Sequence, residues 1–116
     1  MENHYLVPAN EIWYTTTDGK TIKLKGSIRA KVVSNTYKKR EGKGVIVLNE
    51  PIIEIDNETF RDFALQKMIL PECVTSIGEK AFYDCSELTS IVISDGIKHI
   101  GKYAFENCTS LTSADI

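Results

Sequence analysis

Histidine, the side chain that most often serves in acid–base catalysis, is sparse in this sequence. There are two histidines, His4 and His99, and neither has a sequence neighbour that would form a nucleophile–base pair with it. We expect both to be solvated surface side chains. The segment 42–44, Gly-Lys-Gly, is not a phosphate loop, because the Walker spacing and a following helix are absent. The sequence therefore predicts a protein that is not an enzyme, with no catalytic residues and no cofactor.

Metal-binding patterns are equally weak. The three cysteines and two histidines have no spacing that would supply four zinc ligands. Carboxylates are dense over 54–62, but they lack the order of ligands in a calcium-binding loop; they are Glu54, Asp56, Glu58 and Asp62. We predict no metal site, and adventitious cation binding at these carboxylates is the alternative.

The clearest pattern in the sequence is a repeat. Residues 73–93 are followed by 96–116, and nine of the 21 aligned positions are identical at a constant offset of 23. The matched pairs are Ile77 and Ile100, Gly78 and Gly101, Phe82 and Phe105, Cys85 and Cys108, Leu88 and Leu111, and Ile93 and Ile116. A period in the twenties is typical of a solenoid, and Leu88-x-x-Ile91-x-Ile93 fits the core of a leucine-rich repeat.

Each repeat predicts a short strand followed by a turn. Ile91 should point into the core and Val92 away from it. Residues 102–107 are too few for an independent helix, so we expect a single helical turn there. Gly101 should relieve a bend at which a Cβ atom would clash. Phe82 should stack on Phe105. The predicted fold is mainly β with short helical turns, a right-handed leucine-rich-repeat solenoid.

The repeats extend before residue 73 in a weaker form. Leu48, Leu70, Ile93 and Ile116 follow one another at intervals of 22, 23 and 23 residues. We therefore predict a repeat array over 44–116, with a degenerate unit over 48–70 and clear units over 70–93 and 93–116.

Residues 1–43 are expected to form an N-terminal β-hairpin cap. Residues 11–17 favour a strand, and Asp18-Gly19 is a hairpin signal that should return it as a second strand over 20–25. A further strand over 30–37 should turn back over 38–44 into the apolar run 45–48. Trp13 is expected to anchor the core of the cap.

The cysteines are expected to remain reduced. Equivalent positions of stacked units lie about 4.8 Å apart, which is within the Cα range of a disulfide. However, the parallel side chains should keep the Cβ atoms of Cys85 and Cys108 farther apart than the roughly 3.8 Å that a bridge needs. We predict two buried thiols that pack as small apolar groups, and an unpaired Cys73 near the surface.

Charge is divided unevenly along the chain. Residues 1–49 carry a net charge of +5 and residues 50–116 a net charge of −7. Two solvated surfaces explain this division, and head-to-tail attraction between molecules is an alternative. A third alternative is nucleic-acid binding at Lys38, Lys39 and Arg40, but Glu41 beside them indicates a turn tip. We predict no nucleic-acid partner.

No segment indicates membrane insertion. The chain has no apolar run near the roughly 18 residues of a membrane span. Its first four residues, 1–4, lack the basic and apolar character of a secretory signal. A cytoplasmic location therefore stays open.

The outward strand positions provide the candidate protein-binding face. They are Val47, Lys67, Ile69, Ser90, Val92, Ser113 and Asp115. Repeat proteins bind partners on such faces, and Val47, Ile69 and Val92 are expected to form an apolar stripe across neighbouring strands. The alternative is that these residues only favour the strand conformation.

Residues 70–91 read Leu70-Pro71-x-x-Val74-Thr75-Ser76-Ile77-Gly78-x-x-Ala81-Phe82-x-x-Cys85-x-x-Leu88-x-x-Ile91. This pattern resembles the BspA-type leucine-rich repeats of bacterial proteins. The following unit departs from it at Ser94 and Ala114. The resemblance implies a non-enzymatic module for protein binding or adhesion, at the cell surface or secreted. Its partner would be a host matrix protein or a bacterial surface protein.

A second reading is a structural assembly unit. Ile116 closes a strand without a polar capping unit after it, and terminal caps keep repeat proteins soluble. Self-association through this uncapped C-terminal edge, giving a homo-oligomer, is therefore the alternative function.

Overall fold

A computed structural model describes residues 7–24 and 31–115 of the chain, and the side chains of this part as far as residue 112. Within these ranges the chain forms nine strands and no helix. They are β1 (Glu11–Thr16), β2 (Val32–Lys38), β3 (Lys43–Leu48), β4 (Glu54–Ile55), β5 (Leu65–Ile69), β6 (Ser76–Ile77), β7 (Ser90–Val92), β8 (His99–Ile100) and β9 (Ser113–Asp115).

The strands form two sheets. The larger has the order β2-β3-β1-β5-β7-β9, and the smaller has the order β4-β6-β8. Pairing is antiparallel from β2 to β5 and parallel from β5 to β9. All pairing in the smaller sheet is parallel. The larger sheet therefore joins the strands predicted for the cap directly to those of the repeats.

Equivalent positions of successive units lie side by side, as the repeat predicts. Met68 pairs with Ile91 and Ile91 with Ala114 in the larger sheet. In the smaller sheet Ile55 pairs with Ile77 and Ile77 with Ile100. Buried side chains from both sheets belong to one apolar cluster. Because burial of apolar area is the main driving force of folding, this shared cluster stabilises the units together.

The phenylalanine rings confirm this register. The ring of Phe82 lies 5.3 Å from that of Phe60 and 5.2 Å from that of Phe105, measured between centroids. The interplanar angles are 16° and 3°. Phe60 and Phe82 are fully buried, whereas Phe105 is half-buried. The predicted stacking of Phe82 on Phe105 is therefore present.

The segments between the strands are not the short helical turns that the sequence predicts. Two equivalent positions in each unit have φ between 55° and 66°; they are Glu58 and Asp62, Lys80 and Asp84, and Tyr103 and Asn107. Such left-handed residues interrupt a helix and direct alternate backbone N–H groups out of the turn. The N–H groups of Lys80, Phe82 and Asp84 donate to the carbonyls of Lys102, Ala104 and Glu106 in the next unit. The turns thus bond unit to unit.

The cap also differs from its prediction. Gly19 has the left-handed φ of 68° expected of a turn, but residues 20–24 form no strand. β1 pairs instead with β3 on one side and β5 on the other, so neither of its edges is left for a hairpin partner. The second predicted hairpin is confirmed, because β2 returns as β3 through a turn at Gly42.

The core of the cap is built around Tyr14, not Trp13. Tyr14 is 1% exposed, and its hydroxyl donates to Asn35 Oδ1 at 2.6 Å. The backbone N–H of Ile22 donates to the same hydroxyl, and Asn35 Nδ2 donates to the Ile22 carbonyl. Alternation along β1 buries Ile12 and Tyr14 and places Trp13 on the opposite face. The prediction that Trp13 anchors the core is therefore wrong.

Candidate protein-binding face

The outward face of the larger sheet carries a continuous row of apolar side chains. Trp13 pairs with Val45 on one side and with Ile69 on the other. Ile69 in turn pairs with Val92. Val45 is buried, whereas Trp13, Ile69 and Val92 are half-buried. We call these four residues the apolar row; it crosses the four strands β3, β1, β5 and β7.

The apolar row differs in its residues from the apolar stripe that the sequence predicts. Val47 was expected beside Ile69, but β1 lies between their strands, β3 and β5, and Val47 pairs with Glu11. The contact between Ile69 and Val92 is present. Sequence spacing alone missed Trp13 and Val45. The period-two pattern of residues 11–16 could have placed Trp13 outside, but not between two particular strands.

The indole of Trp13 is held in place by two charged neighbours. Lys43 Nζ lies 3.4 Å from the ring centroid, within the range of a cation–π contact. Trp13 Nε1 donates a hydrogen bond of 3.0 Å to Glu11 Oε1. Lys43 also approaches Glu41 Oε1 at 3.9 Å. The ring is therefore contacted by two charged side chains while it is only half-buried.

A polar row runs beside the apolar row. Thr15 pairs with Lys67, Lys67 with Ser90, and Ser90 with Ser113. Lys67 is exposed, and the Thr15 hydroxyl donates to Gln66 Oε1 at 3.3 Å. The backbone of Asp115 pairs with that of Val92. Of the predicted face, Lys67, Ile69, Ser90, Val92, Ser113 and Asp115 thus occupy two adjacent rows, and Val47 lies apart from them.

Of the residues considered for catalysis or metal binding, Glu54, Asp56 and His99 line one groove on the smaller sheet, whereas Glu58 and Asp62 do not. His99 is exposed, as expected, and His4 lies outside the described residues. Glu58 and Asp62 lie in a turn, where both approach Arg61. Across the described ranges no cluster of three or more His, Cys, Asp or Glu is arranged to hold a metal ion. The same ranges contain no helix long and apolar enough to cross a bilayer.

The cysteines are free, as predicted, but they are not equally buried. Cys85 is buried and its thiol donates to the Phe60 carbonyl at 3.0 Å. Cys108 is only half-buried, and its thiol donates to the Phe82 carbonyl at 3.1 Å. Burial raises the pKa of the Cys85 thiol to about 12 and also raises the pKa of Cys108. Thiolate is the reactive species, so Cys85 should be inert.

We expect a thiol reagent at pH 8 to label half-buried Cys73 and Cys108 well before Cys85, as followed by peptide mass spectrometry. In denaturant the three rates should converge. The unfolded Cys85 thiol ionises near 9.0 and the folded thiol near 12. Above the lower value the unfolded state loses its proton first, so stability should fall as pH rises between these values. Fast native labelling of Cys85 would contradict its burial.

Together the fold and this face define a mainly β repeat protein, whose 23-residue offset in the sequence reappears as side-by-side strands. The chain belongs to the BspA type leucine rich repeat family, whose model matches residues 14–116 in six copies. The family resemblance in the sequence is thereby confirmed.

A solved structure supports the same assignment. The chain is similar to a leucine rich cell surface protein from Faecalibacterium prausnitzii A2-165, with 25% sequence identity and a TM-score of 0.52. The similarity covers 97% of this chain and 30% of that protein, so this chain spans less than a third of its length. No curated protein matches the chain.

Proposed function

We propose that this protein is a non-enzymatic binding module that captures a partner protein on the outward face of its larger sheet. The observation that carries this proposal is the apolar row of Val45, Trp13, Ile69 and Val92, three of which are only half-buried. Large apolar side chains that are contiguous on a surface commonly mark an interaction site.

The position of Trp13 favours binding over a purely structural role for the row. Tryptophan is enriched among the residues that dominate the energy of protein interfaces. Here the ring is already ordered by Lys43 and Glu11. A side chain ordered before binding loses less conformational entropy when the partner arrives, so more of the contact energy appears as affinity. Strand propensity alone would not require an aromatic ring held in this way.

The family gives the proposal its biological setting. Leucine-rich-repeat regions generally mediate contacts between proteins, and the similar solved structure is described as a cell surface protein. We therefore propose that the units wind as a solenoid and that the module acts in adhesion at a bacterial surface. Its partner would be a host matrix protein or another bacterial surface protein.

Val92→Asp should reduce partner affinity at least tenfold, because it places a charge in the apolar row. Trp13 is the only tryptophan, so its fluorescence can follow titration with purified matrix and surface proteins. Val33→Asp is the matched control, because Val33 is 63% exposed on β2 and outside the row. Equal affinities of the two variants for the same partner would contradict the proposed face.

Self-association through the last unit is the second candidate. Ile100 is 42% exposed, and Phe105 and Leu111 are only half-buried. Sedimentation of Val92→Asp and of Leu111→Asp separates the two functions. A binding module should lose partner capture in Val92→Asp without a change in sedimentation. An assembly unit should instead show concentration-dependent sedimentation that Leu111→Asp abolishes.

A further inference from the structure

The smaller sheet carries a mainly polar groove, to which Ile55 also contributes. Its cavity volume is about 590 Å³, which lies within the range of ligand pockets. Three equivalent positions from each of three units contribute to its lining. They are Glu54, Asp56 and Asn57 in the first unit, Ser76, Gly78 and Glu79 in the second, and His99, Gly101 and Lys102 in the third.

The lining changes in charge from one unit to the next. The first unit contributes two carboxylates, Glu54 and Asp56, and the second contributes Glu79. The third unit contributes Lys102 and the imidazole of His99, both exposed. The buried positions of the units repeat almost unchanged, whereas of these groove positions only Gly78 and Gly101 are the same. The groove therefore carries carboxylates in its first two units and the Lys102 ammonium in its third.

The spacing of the strands sets the distance between the two ends. Adjacent parallel strands lie about 4.8 Å apart, so the first and third units are separated by about 10 Å. The backbone around the groove is already bonded between units, since Gly78 N–H donates to the Ile55 carbonyl and Gly101 N–H to the Ile77 carbonyl. Recognition must therefore rely on side chains.

We propose that this groove binds a short dipolar peptide in an extended conformation. Its amino groups would lie against Glu54 and Asp56, and its terminal carboxylate would lie against Lys102 and His99. Three extended residues span about 10 Å, which matches the separation of the charged ends. The polar lining suits a peptide backbone, which keeps its hydrogen bonds when bound, better than it suits an apolar ligand.

The tripeptide Lys-Gly-Gly is the direct probe, and titration followed by amide NMR shifts is the measurement. We expect saturable shifts at Glu79 and Gly101 in the millimolar range, and no change in Trp13 fluorescence. The same peptide with an amidated C-terminus should bind about tenfold more weakly, because it loses the charge-assisted bond to Lys102. Equal binding of the two peptides would overturn the proposal, as would an absence of saturable shifts.

Variants of the protein also test whether the peptide carboxylate lies against Lys102. Lys102→Glu should weaken binding of Lys-Gly-Gly about tenfold or more. Lys98→Glu is the matched control, because Lys98 is exposed in the same unit but does not line the groove. Equal losses in both variants would show only non-specific attraction and would overturn the proposed site. A shift of Trp13 emission would place the peptide on the other sheet and would also overturn it.

Discussion

Phe82→Ala should lower the free energy of unfolding by about 3–5 kcal/mol, the usual cost of removing a buried phenyl ring. Phe82 is fully buried and lies between the rings of Phe60 and Phe105. Removing it therefore leaves a cavity between two units, and backbone bonds on both sides restrict collapse of that cavity. Thermal unfolding followed by circular dichroism should show a midpoint lowered by roughly 10 °C or more.

Phe105→Ala is the matched control for this prediction. Its ring is half-buried and stacks on Phe82 from one side. Since less apolar area leaves contact with the core, its destabilisation should be clearly smaller than that of Phe82→Ala. A Phe82→Ala melt within a degree or two of the parent would contradict the role of the stack.

Gly78→Ala is the second substitution expected to have a large effect. A Cβ atom at this position would lie 2.6 Å from Asn57 Oδ1 and 2.7 Å from the Asn57 backbone nitrogen. The backbone of the preceding unit cannot rotate away as a side chain can, so the two units would have to separate. The Gly78 N–H bond to the Ile55 carbonyl would then weaken. We expect a loss of stability of about 1–3 kcal/mol or more.

Gly96→Ala provides the comparison for Gly78→Ala. The nearest atom to a Cβ at Gly96 is Ser94 Oγ at 3.5 Å, an ordinary van der Waals contact. The alanine should be neutral there, or stabilising by up to about 1 kcal/mol through the unfolded state. Urea unfolding of the two variants measures the difference. Equal midpoints would mean that the close approach of the units at Gly78 does not limit stability.

The sequence was sufficient for the repeat because identical core residues at a fixed offset must meet when the units pack. Phe82 and Phe105 follow from this reasoning, as does the clash expected at Gly101, whose Cβ would lie 2.5 Å from backbone atoms of the preceding unit. The helical turn did not follow. The apolar pair Ala104–Phe105 in a short polar segment fits either a helical turn or a turn with left-handed residues. Only the carbonyls of the neighbouring unit, which accept hydrogen bonds from the turn, favour the second.

The candidate protein-binding face also contains residues that the sequence could place and a residue that it could not. Ile69 and Val92 could be placed side by side from the offset, since both belong to repeat strands. Trp13 could not, because the repeat spacing read from the sequence begins only near residue 44, and the pattern of residues 11–16 fits a hairpin as well as an inserted strand. Whether β1 formed a hairpin or was inserted into the sheet depended on which strands paired with its two edges. β3 pairs with one edge and β5 with the other. The neighbours of β1 are thus set by pairing with strands that are distant from it in the sequence.

By itself the sequence determined most of the side chains of the repeats that enter the core, how far apart the units recur and which family they resemble. These properties are local or periodic, so they can be read from spacing alone. The tertiary structure decided the order of the strands, the place of Trp13 on the outward face and the assembly of the polar groove. Each of these depends on pairing between segments distant in the chain, where several partners satisfy the same local pattern.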